Sequence, residues 1–146
     1  TDETAIPYGA PAAVAGTPMD FSTPHLIGER IDTDTDQLRW ARGYDHTYIL
    51  DKELGKLAIA SRCSSPKTGI VMEVYTDQPG VQLYTGNWMS GNLRGKHDHR
   101  YPARAALCLE TQHYPDSPNK PEYPSTRLNP GETFRSTTIF RFTLEA

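Results

Sequence analysis

Leu107-Cys108-Leu109-Glu110-Thr111-Gln112-His113-Tyr114-Pro115-Asp116-Ser117-Pro118-Asn119 changes character half-way along. Its first part is a short alternating apolar run, the pattern of a strand with one face turned inward. Its second part is a polar loop stiffened by Pro115 and Pro118, with Pro121 and Pro124 close behind. Glu110 is carried off the end of the strand where the two parts meet. A rigid strand followed by a proline-restrained loop lowers the entropy cost of holding one carboxylate in place. The same spacing also fits a glutamate that only marks a solvated strand end.

Working outward, Ala106 to Thr111 reads as one of a series of short strands. Ile70-Val71-Met72-Glu73-Val74-Tyr75-Thr76 is the clearest, being β-branched and aromatic. Thr47 to Leu50, Leu57 to Cys63, Val81 to Thr85 and a long final run from Thr133 to Leu144 complete the set. Turn residues separate them at Asp51 to Gly55, Ser64 to Gly69, Pro79-Gly80 and Asn129-Pro130-Gly131. A short helical turn over Gln37-Leu38-Arg39-Trp40-Ala41 is predicted after the acids of Asp32 to Asp36, with Gly43 ending it. Residues 86–104 read as a polar, basic loop carrying Lys96, His97, His99, Arg100 and Arg104, either a lid or a solvated excursion. The first 30 residues hold Pro7, Pro11, Pro18 and Pro24 and permit only turns and short edge strands. Strands at this spacing, with no apolar stripe of helical period, predict an all-β antiparallel sandwich, with no internal boundary between residues 1 and 146.

Composition agrees with a turn-rich β protein: of 146 residues 36% are hydrophobic, 12 are Pro and 11 are Gly. A formal net charge of −3 argues against a nucleic-acid partner, whose footprint is a basic stripe. No apolar run approaches a membrane span or a signal peptide, so no membrane partner is expected. Cys63 and Cys108 both lie in apolar runs and are expected to be buried free thiols, a disulfide remaining possible. No Cys-x-x-Cys or histidine-rich ligand spacing occurs, which argues against a zinc site.

Period-two alternation sorts the candidate side chains by face. Leu107 and Leu109 share one face, and Cys108 and Glu110 share the other. Gln82 and Tyr84 share a face opposite Val81 and Leu83. Two polar-tipped side chains beside a carboxylate suit a polyhydroxylated ligand, although Gln82 also fits a solvent-facing strand position. Asp45 and His46 are neighbours on a strand and point to opposite faces, so they cannot readily act together. His25, His97 and His99 read as surface residues, and His113 is the one histidine close to Glu110 in sequence.

The words Cys108-Leu109-Glu110-Thr111-Gln112, Pro115-Asp116-Ser117-Pro118-Asn119 and Pro124-Ser125-Thr126…Asn129-Pro130-Gly131-Glu132-Thr133 resemble the C-terminal part of the aldose 1-epimerases, the galactose mutarotases. The resemblance extends upstream through Pro79-Gly80-Val81-Gln82-Leu83-Tyr84-Thr85-Gly86-Asn87, Glu73-Val74-Tyr75-Thr76 and Gly43-Tyr44-Asp45-His46 to Val14-Ala15-Gly16-Thr17-Pro18-Met19-Asp20-Phe21 and Ile27-Gly28-Glu29-Arg30-Ile31. It implies a large antiparallel β-sandwich of the galactose-mutarotase type, of which this chain would be the C-terminal half. It further implies Glu110 as catalytic base, with Asp45 and Gln82 as substrate contacts and His46 as a structural residue. The implied reaction interconverts the α- and β-anomers of free aldoses such as galactose or glucose and needs no metal or organic cofactor. The family's general acid is a histidine in an Asn-His context, and no such pair occurs here. The expectation is therefore an active site that is incomplete in this chain, with the N-terminal half or a second copy as partner. A half-sandwich would also expose sheet edges and an apolar face. The alternative is a non-catalytic carbohydrate-binding β-sandwich fragment. Location, cytoplasmic or periplasmic, stays open.

Overall fold

The computed structural model describes residues 1–145. Among the described residues, eight strands and one short α-helix follow the order α1 (Asp36–Ala41), β1 (Asp45–Ile49), β2 (Ala58–Ser64), β3 (Ile70–Thr76), β4 (Gly80–Tyr84), β5 (Ser90–Arg94), β6 (Arg100–Pro102), β7 (Cys108–Gln112) and β8 (Thr138–Leu144). The strands form a three-stranded sheet β1-β4-β7, a three-stranded sheet β2-β3-β8 and the two-stranded β5-β6 ribbon. The residues group into two compact units, one of Thr1–His46 with Leu83–Cys108, the other of Thr47–Gln82 with the chain from Leu109 onward.

In the first unit, the core is Ile31, Leu38, Tyr44 and Leu83. Helix α1 starts one residue earlier than expected, at Asp36, because the Thr35 hydroxyl caps it by accepting from the Leu38 N–H at 3.4 Å. Its end differs from expectation: Arg42, not Gly43, takes the left-handed cap conformation, at φ 58°. Residues 86–104 are not one loop but contain the β5-β6 hairpin, paired antiparallel through Ser90↔Pro102 and Arg94↔Arg100. Polar, glycine-containing residues hide such a ribbon from propensity, since cross-strand pairing rather than side-chain preference holds it. No strand forms within the first 30 residues.

The second unit is built on β3, whose bounds match the sequence expectation. It pairs antiparallel with β2 on one side and β8 on the other. Val71, Val74, Thr76 and Val81 are buried here. The last strand is shorter than expected, running from Thr138 and not Thr133. Its partner β3 ends at Thr76, so earlier residues have no ladder to join. Instead the Asp77 carboxylate accepts from the Thr137 N–H at 2.8 Å and the Ser136 hydroxyl at 2.9 Å. Every residue of β8 is exposed, including Ile139, Phe140, Phe142 and Leu144. Phe140, Phe142 and Leu144 stand in register with Val74, Met72 and Ile70 and so share one sheet face. The three side chains of β8 are exposed there, whereas Val74 on the same face is fully buried.

Candidate active site

Strand β7 presents its side chains to two faces. Cys108, Glu110 and Gln112 share one, Leu109 and Thr111 the other. Thr111 meets Thr138 of β8, hydroxyl to hydroxyl at 2.6 Å, so its face is turned toward the β2-β3-β8 sheet. Glu110 therefore faces away from that sheet, and it is exposed. No hydrogen bond or ion pair to another described residue occupies its carboxylate.

A chain of polar contacts crosses the Glu110 face within the second unit. The Gln112 amide nitrogen lies 3.5 Å from the Thr47 hydroxyl of β1. That hydroxyl donates in turn to the side-chain oxygen of Gln82 on β4. Glu110, Gln112, Gln82 and Thr47 are thus set on one face of the β1-β4-β7 sheet, three strands contributing. Gly80, two residues before Gln82, also belongs there: a Cβ on it would lie 2.9 Å from the Thr47 methyl and 3.2 Å from the Tyr114 ring.

Asp45 opens β1 in the first unit, and the structure shows why that start is rigid. The preceding Tyr44 is fully buried, its ring edge-on to Phe21 at 5.2 Å and its hydroxyl donating to the Pro18 carbonyl at 2.9 Å. Its backbone is clamped by buried side chains: Tyr44 N–H donates to the Thr85 hydroxyl at 3.1 Å, and its carbonyl accepts from the Asn87 amide at 2.9 Å. Gly43 is required beside this clamp, because it sits at φ 142° with no room for a side chain against Asn87 and Thr85. Asp45 is half-buried, and alternation puts it on the face of β1 that carries Thr47.

The histidines fall elsewhere. His46 is the opposite-facing neighbour of Asp45; burial pushes its imidazole down to about 4, against the raising influence of Asp45. Its Nδ1 accepts from the Asp45 N–H at 3.1 Å, and its buried Nε2 has no partner among the described residues. The His113 Nδ1–H donates at 2.8 Å to the side-chain oxygen of Gln78, which is itself buried and donates to the Ser136 hydroxyl at 2.9 Å. It is engaged in that network. Cys108 is exposed, against the expectation of burial, because it lies on the outward face of β7. Cys63 is half-buried, its thiol pushed up by that burial, and both cysteines are free. Tyr84 spends its hydroxyl on the Trp88 N–H at 3.2 Å.

A cavity of about 220 Å³ in the first unit is lined by Asp32, Asp34, Arg39, Arg42 and Arg104 among others, and by none of the candidate residues. Its charges pair among themselves, Arg104 with Asp32 at 2.8 Å and Arg39 with Asp34 at 2.8 Å. Among the described residues no group of three or more His, Cys, Asp or Glu could hold a metal ion, and no helix is long and apolar enough to cross a membrane.

Comparison with known proteins decides the family. Residues 1–141 match the aldose 1-epimerase family model. The chain belongs to the aldose 1-epimerase family. Galactose mutarotases from Mus musculus and Homo sapiens are 43% and 41% identical to it over 143 residues, which is 98% of this chain and 40% of each relative. The aldose 1-epimerase of Escherichia coli K12 is 36% identical over 147 residues, 99% of this chain and 42% of that protein. Among solved structures, a GalM/aldose epimerase homologue from C. elegans superposes with a TM-score of 0.82 at 26% identity, covering 98% of this chain and 42% of the other. A galactose 1-epimerase from Lactobacillus acidophilus NCFM superposes at 0.71 and 27%, covering 100% and 41%. This epimerase-family chain thus spans about 40% of the length of the relatives it matches.

Two site residues were missed by reading the sequence. Gln112 was accessible to alternation, being two residues from Glu110. Thr47 was not, because its role depends on which strands become neighbours.

Proposed function

We propose that this chain is the base-bearing part of an aldose 1-epimerase that interconverts the α- and β-anomers of free hexoses such as galactose and glucose. The observation that carries the reading is the exposed, unpaired Glu110 carboxylate on the same sheet face as the Gln82 and Gln112 amides. The names of the relatives supply the substrate class.

In this mechanism Glu110 takes the proton from the C1 hydroxyl. The electron pair left on that oxygen forms the C1 carbonyl, the bond from C1 to the ring oxygen breaks, and an acid protonates the ring oxygen. Rotation about C1–C2 presents the other face of the carbonyl, and closure runs the same proton movements in reverse. Each positioned acid or base contributes about 10²- to 10⁴-fold in rate. Gln82 hydrogen-bonds sugar hydroxyls, and so does Asp45, whose role rests on the family motif and on its rigid placement at the start of β1. The acid is a histidine on the part of the enzyme outside these 146 residues. That same part covers the apolar face of Phe140, Phe142 and Leu144, since an open face of this kind invites aggregation.

Polarimetry on freshly dissolved α-D-galactose and α-D-glucose tests this. The full-length protein is expected to accelerate mutarotation, and residues 1–146 alone are not. A full-length protein that binds galactose without accelerating its mutarotation would establish the non-catalytic carbohydrate-binding reading instead. Acceleration by residues 1–146 alone would place the acid within this chain.

A further inference from the structure

The contacts around Gln82 say more than that it lies on the candidate face. Its side-chain oxygen is the atom that receives the Thr47 hydroxyl proton. The same hydroxyl oxygen has the Gln112 amide nitrogen, a donor, on its other side at 3.5 Å. A hydroxyl has one proton to give. With that one proton given to the Gln82 oxygen, the Gln82 amide is turned oxygen toward Thr47 and nitrogen away.

Thr47 is itself held. Its methyl sits over Gly80, in space that a Cβ at that position would enter at 2.9 Å, with the Tyr114 ring alongside. A β-branched side chain has a stiff χ1, so seating the methyl also aims the hydroxyl. Glycine below, methyl above and hydroxyl to one side form a mount for a single amide.

We propose that Thr47 is a positioning residue for sugar recognition, setting the Gln82 amide so that it meets the sugar as a hydrogen-bond donor. The sugar oxygen at that point is then an acceptor. Because the amide nitrogen carries two protons, donation to a sugar does not require that it have no other partner. The inference rests on the epimerase reading above and deepens it by naming what orients one of its contacts.

A double-mutant cycle in the full-length enzyme tests it, using wild type, Thr47→Val, Gln82→Ala and the double variant, each with galactose mutarotation by polarimetry and a melting curve. Valine keeps the methyl and the shape and removes only the proton. Thr47→Val is expected to raise KM about three- to ten-fold, with kcat changed less than about two-fold. In the Gln82→Ala background the same substitution is expected to leave KM unchanged. Thr47→Ser, which keeps the hydroxyl, is expected to stay closer to wild type than Thr47→Val. Equal KM increases in both backgrounds, no increase in either, or a serine variant as impaired as the valine one would overturn the inference and leave the epimerase reading standing. A wild-type enzyme that accelerates no aldose mutarotation would overturn both.

Discussion

Glu110 and Thr111, neighbours on opposite faces of β7, meet opposite surroundings. On the outward face Glu110 is exposed and its carboxylate is unpaired among the described residues. On the other side Thr111 is bonded to Thr138, and just beyond the strand His113 is bonded to the buried Gln78. Leaving the buried Gln78 amide without a partner would cost about 1–3 kcal/mol, and His113 and Ser136 supply its partners. An outward carboxylate bears no such constraint and stays available for a ligand. Burial and partners, rather than residue type, set His113 apart from the glutamate proposed as the base.

Three perturbations sharpen this contrast, two of the inner side and one of the outward face. The largest expected effect is the pH dependence set by His46. Its folded-state value of about 4 lies below the ordinary 6.5, so between those values the unfolded chain binds the extra proton. Stability is complete above about pH 6.5 and declines toward acid, with a slope approaching about 1.4 kcal/mol per pH unit. Chemical unfolding of the full-length protein from pH 7.5 to 4.5 should show that decline, and His46→Leu should flatten it; equal slopes would mean that His46 is not buried neutral. Next in size, Gln78→Ala removes the partner of both His113 and Ser136 and is expected to cost about 1–3 kcal/mol of stability with kcat unchanged. Smallest is Cys108→Ser, an exposed position expected to shift stability by no more than about 0.5 kcal/mol. A larger loss there would show that the outward face of β7 is packed in the full-length protein.

The sequence made much of this legible, unevenly and for physical reasons. Strand β3 could be bounded to the residue because Ile70, Val71, Val74 and Tyr75 carry the pattern of a strand buried on both faces. The β5-β6 ribbon could not, since Ser90, Gly91, Asn92 and Arg94 have no strand preference and only pairing makes them one. Residues 133–137 looked like strand through Thr133, Phe134 and Thr137, yet a strand needs a partner and β3 stops short of them. At the site, alternation was enough to put Glu110 and Gln82 outward. It could not reveal that Thr47 would stand beside Gln82, or that Gly80 would lie under the Thr47 methyl instead of in the turn it was expected to make, because both depend on strand order and register. Cys108 was misjudged for a related reason: an apolar run in a strand buries only every second side chain.

The central claim is that Glu110 acts on substrate while His113, its near neighbour in sequence, holds the fold. Measuring kcat for galactose mutarotation and the melting temperature of full-length Glu110→Gln and His113→Leu side by side, with activity assayed well below both transitions, tests it most directly. Glu110→Gln should lose about 10²- to 10⁴-fold in kcat and melt with wild type. His113→Leu should keep its kcat and melt several degrees lower, consistent with about 1–3 kcal/mol for a buried amide left without its partner. A His113→Leu protein that melts with wild type but has lost mutarotation, or a Glu110→Gln protein that keeps it, would contradict the account.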